Sequence, residues 1–138
     1  MTDRELIRLA FQAQQFSYSP YSKFKVGAAL LGKSGKVYTG CNIESASYTP
    51  TICAERTAFS KAVSEGEKDF VRIAIVGGDE TTRAKGQYCS PCGVCRQVMM
   101  EFCHPKEFQV ILANSEEDYG VYTLEHLLPL GFSPRDLT

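Results

Sequence analysis

The chain has 138 residues, a length suited to one domain with one hydrophobic core, and we expect residues 1–138 to form a single domain. Its net charge of −1, without a run of Lys or Arg, argues against a long nucleic acid as substrate but not against a neutral small molecule. No apolar stretch approaches the roughly 20 residues that span a bilayer, and the polar N-terminus lacks the pattern of a signal peptide. The sequence therefore predicts a cytoplasmic protein, in which six cysteines need a role other than disulfides.

Hydrophobic periodicity predicts a series of short helices and strands. A first helix covers residues 3–17, and its apolar residues at helical spacing are Leu6, Leu9, Ala10, Ala13 and Phe16. A glycine-containing turn over 32–35 joins two apolar segments, 24–31 and 37–43, in a hairpin. The remaining predicted elements, in chain order, are a helix over 52–64, a strand over 70–76, a polar loop over 79–90, a helix over 90–103, strands over 108–113 and 119–123, a short helix over 124–128 and a tail that is loop. This order favours a three-layer α/β/α domain with a mixed sheet of roughly five strands.

Two short segments, each at the predicted start of a helix, carry the chemistry: Cys53-Ala54-Glu55-Arg56 and Pro91-Cys92-Gly93-Val94-Cys95. With Ser90 as the cap and Pro91 at the first helical position, Cys92 and Cys95 lie one turn apart on the same face. The positive end of a helix favours the thiolate form that binds metal. Cys53 completes a trio if the two helix starts meet. Three thiolates leave one position of a tetrahedral zinc ion open, as in catalytic sites.

The residues beside Cys53 suit hydrolysis. A water in the open position becomes hydroxide near neutral pH and attacks an electron-poor carbon. Glu55, two residues after Cys53, is placed to move protons between that water, a ring nitrogen and a departing amine. Arg56, one turn after Cys53, is expected to donate hydrogen bonds to the thiolates and to draw back some of their charge.

The pattern Cys-x-Glu followed by Pro-Cys-x-x-Cys resembles the zinc signature of the cytidine deaminase superfamily in its three-cysteine form. Further segments, which extend the match over nearly the whole chain, resemble the small homotetrameric cytidine deaminases: Tyr18-Ser19-Pro20-Tyr21-Ser22, Phe24-Lys25-Val26-Gly27-Ala28-Ala29, Thr39-Gly40-Cys41-Asn42-Ile43-Glu44 and Cys53-Ala54-Glu55-Arg56-Thr57-Ala58. The resemblance implies a hydrolase of pyrimidine salvage that converts free cytidine and deoxycytidine to uridine and deoxyuridine plus ammonia. Zinc hydroxide attacks C4 and Glu55 shuttles the protons. One zinc ion per subunit is held by Cys53, Cys92 and Cys95 in a homotetramer.

The resemblance also assigns residues to the nucleoside. Asn42 and Glu44 hold the sugar hydroxyls, which agrees with the rule that residues two apart on a strand share a face. Phe24, at the start of the preceding predicted strand, packs on the pyrimidine ring.

Other contacts concern the base edge and the neighbouring subunits. The backbone near Ala54 and Cys89-Ser90 reads the base edge. Because the family completes its sites across subunit interfaces, Tyr48 and Phe132 are expected to contact a neighbour's substrate.

Several alternatives stay open at this point. The cysteines could form a structural zinc site with Cys89 as fourth ligand, or a redox pair, although a polar loop rather than a strand precedes them. Asn42 and Glu44 could simply end a strand, and Phe24 could be core. Cys41 and Cys103 are expected to be ordinary buried thiols. The alternative functions are a deaminase of another aminopyrimidine nucleoside (the blasticidin type), a non-catalytic zinc-binding assembly domain, and a nucleic-acid editing enzyme.

Overall fold

The computed structural model describes residues 1–78 and 83–138; residues 79–82 of the predicted polar loop lie outside the described residues. The helices are α1 (Asp3–Gln14), α2 (Ala54–Ser64), α3 (Gly93–Phe102) and α4 (Leu124–Leu127) in the described part of the chain. The strands there are β1 (Val26–Gly32), β2 (Val37–Cys41), β3 (Phe70–Gly77), β4 (Gln109–Ala113) and β5 (Tyr119–Thr123). The tail, which was expected to be loop, contains a short 3-10 helix, Pro134–Leu137. None of the described helices is both long and apolar enough to cross a membrane.

The five strands form one mixed sheet in the order β2-β1-β3-β4-β5. Strands β3 and β4 are parallel, and the other neighbouring pairs are antiparallel. Alternate residues of a strand point to opposite faces. Ile73 and Ile75 of β3 therefore pack with α2 and α3, whereas Ala74 and Val76 pack with α1. Helices cover both faces, and the predicted three-layer α/β/α class with a five-stranded mixed sheet is confirmed.

Helix α1 begins with a capping box. Glu5 N–H donates to Thr2 Oγ1 at 3.1 Å, and Thr2 N–H donates to Glu5 Oε2 at 2.8 Å, so two otherwise unpaired amides are satisfied. The helix ends at Gln14, three residues before the predicted end. Phe16, which was expected on its apolar face, lies beyond this end and is 79% exposed.

The starts of α2 and α3 place the chemistry-bearing residues. Cys53 is the N-cap of α2 and Cys92 is the N-cap of α3, so the prediction of a Ser90 cap with Pro91 in the first turn was wrong. Neither cysteine side chain caps its helix by a hydrogen bond, which leaves both sulfurs available to a ligand. Gly40 of β2 allows α2 to lie close to the sheet, because a Cβ atom there would be 2.4 Å from the carbonyl oxygen of Ala54.

Candidate active site

Three cysteine sulfurs converge where α2 and α3 begin. The Sγ atoms of Cys53 and Cys92 are 3.8 Å apart, those of Cys92 and Cys95 are 3.5 Å apart, and all three lie within 4.8 Å of one another. Tetrahedral zinc with Zn–S bonds of about 2.3 Å would separate its sulfur ligands by about 3.8 Å. In the described residues the cluster consists of these three thiols, and Cys89 is not part of it. The Cys89 sulfur lies against the backbone of Gly77 instead, since a Cβ atom built on that glycine would be only 2.5 Å from it. The donor set therefore fits a zinc ion with one position left for water.

Hydrogen bonds within the trio favour ionisation of Cys53 and oppose that of Cys95. A hydrogen bond from the Cys95 thiol lowers the pKa of Cys53, and the hydrogen bonds from Arg56 and Cys92 lower it further against the effect of burial. The Nη2 atom of Arg56 lies 3.6 Å from Cys53 Sγ, where the sequence placed it. The interaction with Cys53, together with burial, raises the pKa of Cys95. Cys53 is thus the thiol that ionises ahead of Cys95.

Glu55 lies in the first turn of α2, is only 4% exposed, and belongs to the buried residues of that helix. Its Oε1 atom has no hydrogen-bond partner in the described residues. Burial raises the pKa of this carboxyl to about 7, and the nearby charge of Cys53 adds to the effect. A carboxyl group that is free at one oxygen and exchanges its proton near neutral pH is equipped for proton transfer.

Asn42 follows β2 and is almost fully buried. Strand β2 ends at Cys41, earlier than predicted, but isolated bridges of Ile43 with Tyr18 and Ile52 extend the pairing beyond it. Asn42 Oδ1 accepts hydrogen bonds from the Ser17 hydroxyl and from Val26 N–H. Its Nδ2 donates to the carbonyl oxygen of Phe24 at 2.8 Å.

These bonds leave Asn42 with one unused N–H, because an amide oxygen has two lone pairs and an NH₂ group has two protons. Asn42 is therefore a structural residue as well as a candidate ligand.

Glu44 is half-buried and is held by three donors. Its Oε1 accepts the N–H groups of Tyr21 and Ser22, at 3.0 and 3.2 Å, and its Oε2 accepts the Ser22 hydroxyl. These bonds lower the pKa of Glu44, the Ser22 hydroxyl most of all. A carboxylate offers about four lone-pair sites, so one site on Oε2 stays available.

Phe24 lies two residues before β1 and not at the start of the strand, as was predicted. Phe24 is 37% exposed. The guanidinium of Arg83 lies 5.4 Å from the ring centroid, and a Cβ on Gly78 would come within 2.9 Å of the ring. Ala54, by contrast, is fully buried, so only its backbone can face a ligand.

The two residues expected to reach a neighbouring subunit are both exposed. Tyr48 is 77% exposed, has a positive φ of 63°, and lines a cavity of about 480 Å³ together with Glu44. Phe132 is 56% exposed, and its carbonyl oxygen accepts a hydrogen bond from Gln97 of α3 at 2.9 Å. Tyr48 thus lines the same cavity as Glu44, one of the two predicted sugar residues. The backbone of Phe132 is hydrogen-bonded to α3, the helix that carries Cys95.

Sequence reasoning missed two sets of contacts. The Ser22 hydroxyl is hydrogen-bonded to both Glu44 and Phe24. From the sequence, Ser22 was identified only as part of the Tyr18–Ser22 segment, without a role of its own. Asp118 accepts hydrogen bonds from Asn114 and from the hydroxyl of Tyr88, which ties the chain before the Cys92 motif to the turn after β4. In each set one bond joins residues far apart in the chain, Ser22 to Glu44 and Tyr88 to Asp118, and no local pattern predicts these two bonds.

The cysteines outside the trio follow the sequence expectation in part. All six cysteines are free thiols. Cys103 is buried, as predicted, whereas Cys41 is only half-buried at the end of β2.

Comparison with known proteins agrees with this geometry. The family described as "Cytidine and deoxycytidylate deaminase zinc-binding region" matches residues 1–112. A cytidine deaminase from Halalkalibacterium halodurans is 50% identical over 136 residues, covering 98% of each chain. One from Sporosarcina psychrophila is 46% identical and covers all of this chain and 96% of its own. The crystal structure of cytidine deaminase from Burkholderia pseudomallei superposes with a TM-score of 0.85 at 44% identity, over 96% of this chain and 100% of that one.

Proposed function

The chain belongs to the cytidine and deoxycytidylate deaminase family, and we propose from this premise that it hydrolyses the exocyclic amine of cytidine and deoxycytidine to give uridine and deoxyuridine plus ammonia. The observation that carries the proposal is the meeting of a three-thiol metal site with a buried, unpartnered carboxyl group. The named relatives are all cytidine deaminases and give no support to the blasticidin-type or non-catalytic alternatives.

Cys53, Cys92 and Cys95 are the residues that would hold zinc, one ion per subunit. When bound, the metal supplies a Lewis acid that lowers the pKa of a water molecule toward 7. Arg56 contributes by donating to Cys53, which reduces the negative charge that three thiolates place on the site.

Glu55 is the proton carrier of the reaction. Its Oε1 accepts a proton from the attacking water and delivers it to N3 of the pyrimidine as C4 is attacked. It then takes the proton of the hydroxyl group now on C4 and donates it to the departing amine, which leaves as ammonia while the C4 carbonyl forms. The pKa of about 7 suits a group that must both accept and donate protons near neutral pH. Burial also shields this carboxyl group from bulk water, which would otherwise compete for the same proton.

Asn42 and Glu44 recognise the sugar. Asn42 has one N–H left to donate and Glu44 has one site left to accept, and a hydroxyl group is both an acceptor for the first and a donor for the second. If the hydroxyl group bound here is one that ribose and deoxyribose both carry, the site accepts cytidine and deoxycytidine alike.

The base lies against Phe24, whose ring is partly open to solvent. The N–H of Ala54 is one of the first-turn amides that lack a helical acceptor, and we assign it, with the backbone of Cys89 and Ser90, to the edge of the base. In this proposed arrangement C4 faces the cysteines and the sugar faces Glu44.

The active protein is a homotetramer whose sites are completed across interfaces, by Tyr48 and Phe132 of neighbouring copies. The support is the exposure of the large side chains of Tyr48, Leu130 and Phe132, because burying such apolar surface at a subunit interface is favourable. The free thiols, three of them grouped as metal ligands, favour a reducing cytoplasm, and the reaction belongs to pyrimidine salvage.

A substrate panel and a subunit-mixing experiment test these proposals. The zinc-loaded protein should deaminate cytidine and deoxycytidine and leave blasticidin, single-stranded DNA and RNA unchanged; turnover of blasticidin alone would favour that alternative. Separately, Glu55→Gln and Phe132→Ala subunits, each weakly active, should regain activity when mixed, because some sites then combine an intact Glu55 with a partner's intact Phe132. Mixed oligomers that gain no activity would contradict the shared site.

A further inference from the structure

The turn over residues 19–24, between α1 and β1, places one hydroxyl group between two substrate-facing residues. Ser22 Oγ donates a hydrogen bond to Oε2 of Glu44 and accepts one from Phe24 N–H at 3.0 Å. The same hydroxyl is therefore bonded to the carboxylate assigned to the sugar and to the backbone of the ring assigned to the base.

The Ser22 hydroxyl is the group that fixes the second oxygen of Glu44. The two backbone donors, Tyr21 N–H and Ser22 N–H, both reach Oε1. Without the hydroxyl, Oε2 would have no donor among these contacts and the carboxylate could rotate about its last bond. The site on Oε2 that is free for a ligand hydroxyl would then lose its fixed direction.

The backbone of this turn is strained in the manner of a functional segment. Lys23, between Ser22 and Phe24, has a φ of 60°, in the left-handed region that non-glycine residues rarely adopt. Its N–H donates to the carbonyl oxygen of Ser19 at 3.0 Å, which closes the turn. Such strain persists where surrounding contacts over-determine the conformation, and it is concentrated at functional sites.

We propose that Ser22 is a positioning residue that sets the distance and orientation between the Phe24 ring and the Glu44 carboxylate, and that it thereby makes the site selective for a pyrimidine carrying a sugar hydroxyl. The inference rests on the proposed function, in which Phe24 contacts the base and Glu44 the sugar. Ser22 itself contacts neither the reacting atoms nor the metal ligands; it acts through these two residues.

The chain contains a matched control for the loss of such a serine. Ser34, in the turn between β1 and β2, also donates its hydroxyl to a glutamate, Glu67, and accepts an N–H two residues ahead, from Lys36 at 3.3 Å. Ser34→Ala therefore removes the same pair of bonds in a turn that carries no substrate residue.

Ser22→Ala should raise KM for cytidine about tenfold, as expected for a lost hydrogen bond to a charged group, with kcat and zinc content unchanged. Ser22→Thr, which keeps the hydroxyl, should restore KM. The loss in kcat/KM should be smaller for 2′,3′-dideoxycytidine, which lacks the 2′- and 3′-hydroxyls and keeps only the 5′-hydroxyl, so that the ratio of kcat/KM for cytidine to that for the dideoxynucleoside falls. Ser34→Ala should lower Tm by an amount similar to Ser22→Ala and leave KM and kcat as in wild type.

A KM for Ser22→Ala within twofold of wild type, or an equal loss for both nucleosides, would overturn the proposal while leaving the proposed function intact. If the rise in KM is accompanied by a fall in kcat and in zinc content, Ser22 has a general structural role instead. If the wild-type protein fails to deaminate cytidine, the proposed function itself fails, and the two failures are thus distinguishable.

Discussion

Replacing Asn42 with Ala should destabilise the protein as well as weaken substrate binding. The Asn42 side chain is buried and satisfies two backbone groups, Phe24 C=O at 2.8 Å and Val26 N–H at 2.9 Å. Alanine at this position reaches neither group. Both would be left without this partner beneath the turn over residues 19–24.

The expected cost follows from these two orphaned groups. A buried backbone group that loses its partner costs about 1–3 kcal/mol, so the pair predicts a loss of roughly 2–4 kcal/mol once partial hydration is allowed for. For a domain of this size that loss lowers Tm by about 6–15 °C.

Thermal and denaturant unfolding, at equal protein and zinc concentrations, measure this effect. Glu44→Gln is the matched control, because its side chain is only half-buried and glutamine keeps an oxygen acceptor. It should weaken cytidine binding and lower Tm by less than Asn42→Ala does, because the amide oxygen can still accept the N–H groups of Tyr21 and Ser22. If Asn42→Ala unfolds at the same temperature as Glu44→Gln, the structural role argued for Asn42 is wrong.

Three further predictions concern residues that surround the candidate active site or support it. Gly40→Ala should lower the free energy of unfolding by about 1–3 kcal/mol through overpacking and reduce zinc occupancy, because its Cβ would lie 2.4 Å from an oxygen of α2. Gly93→Ala, with open space around it, should fold normally. Equal melting temperatures for the two variants would refute this prediction. The pKa of Asp118 is lowered, first by Asn114, so its carboxylate stabilises the fold above its unfolded pKa and this stability is lost as pH falls through the folded pKa. The Tm difference between wild type and Asp118→Asn should therefore shrink from about pH 6 to about pH 3, and a constant difference would count against it. Arg56→Gln should keep its zinc but turn over more slowly, as metal analysis and kinetics can check; unchanged kinetics would exclude the charge-balancing role.

The sequence predicted most of what depends on local pattern. The first helix was identified from its helical period, because it buries one face against the sheet. Strands such as β1 and β3 were identified from short apolar runs, because helices cover both faces of the sheet. Cys92 and Cys95, at a spacing of three, and Cys53 beside Glu55 pointed to the metal site before any geometry was known. The start of α3 after Cys92 was missed because Ser90 and Pro91 satisfy the usual local preferences, whereas tertiary packing decides where the helix begins.

Contacts between distant parts of the chain were beyond sequence reasoning. The bond from Ser22 to Glu44 and the bonds around Asp118 depend on how loops fold back on the sheet. Phe16, an apolar residue at helical spacing, is exposed because α1 ends before it. Periodicity alone does not show where a helix stops.

Loss of absorbance at the cytidine band, for wild type and Glu55→Gln with zinc quantified in both, tests the central claim most directly. The account predicts that wild type deaminates cytidine and that the variant, carrying the same zinc, is slower by about 10²–10⁴-fold because its proton carrier is gone. A zinc-loaded wild type that leaves cytidine and deoxycytidine untouched, or a Glu55→Gln variant that keeps most of the rate, would contradict it.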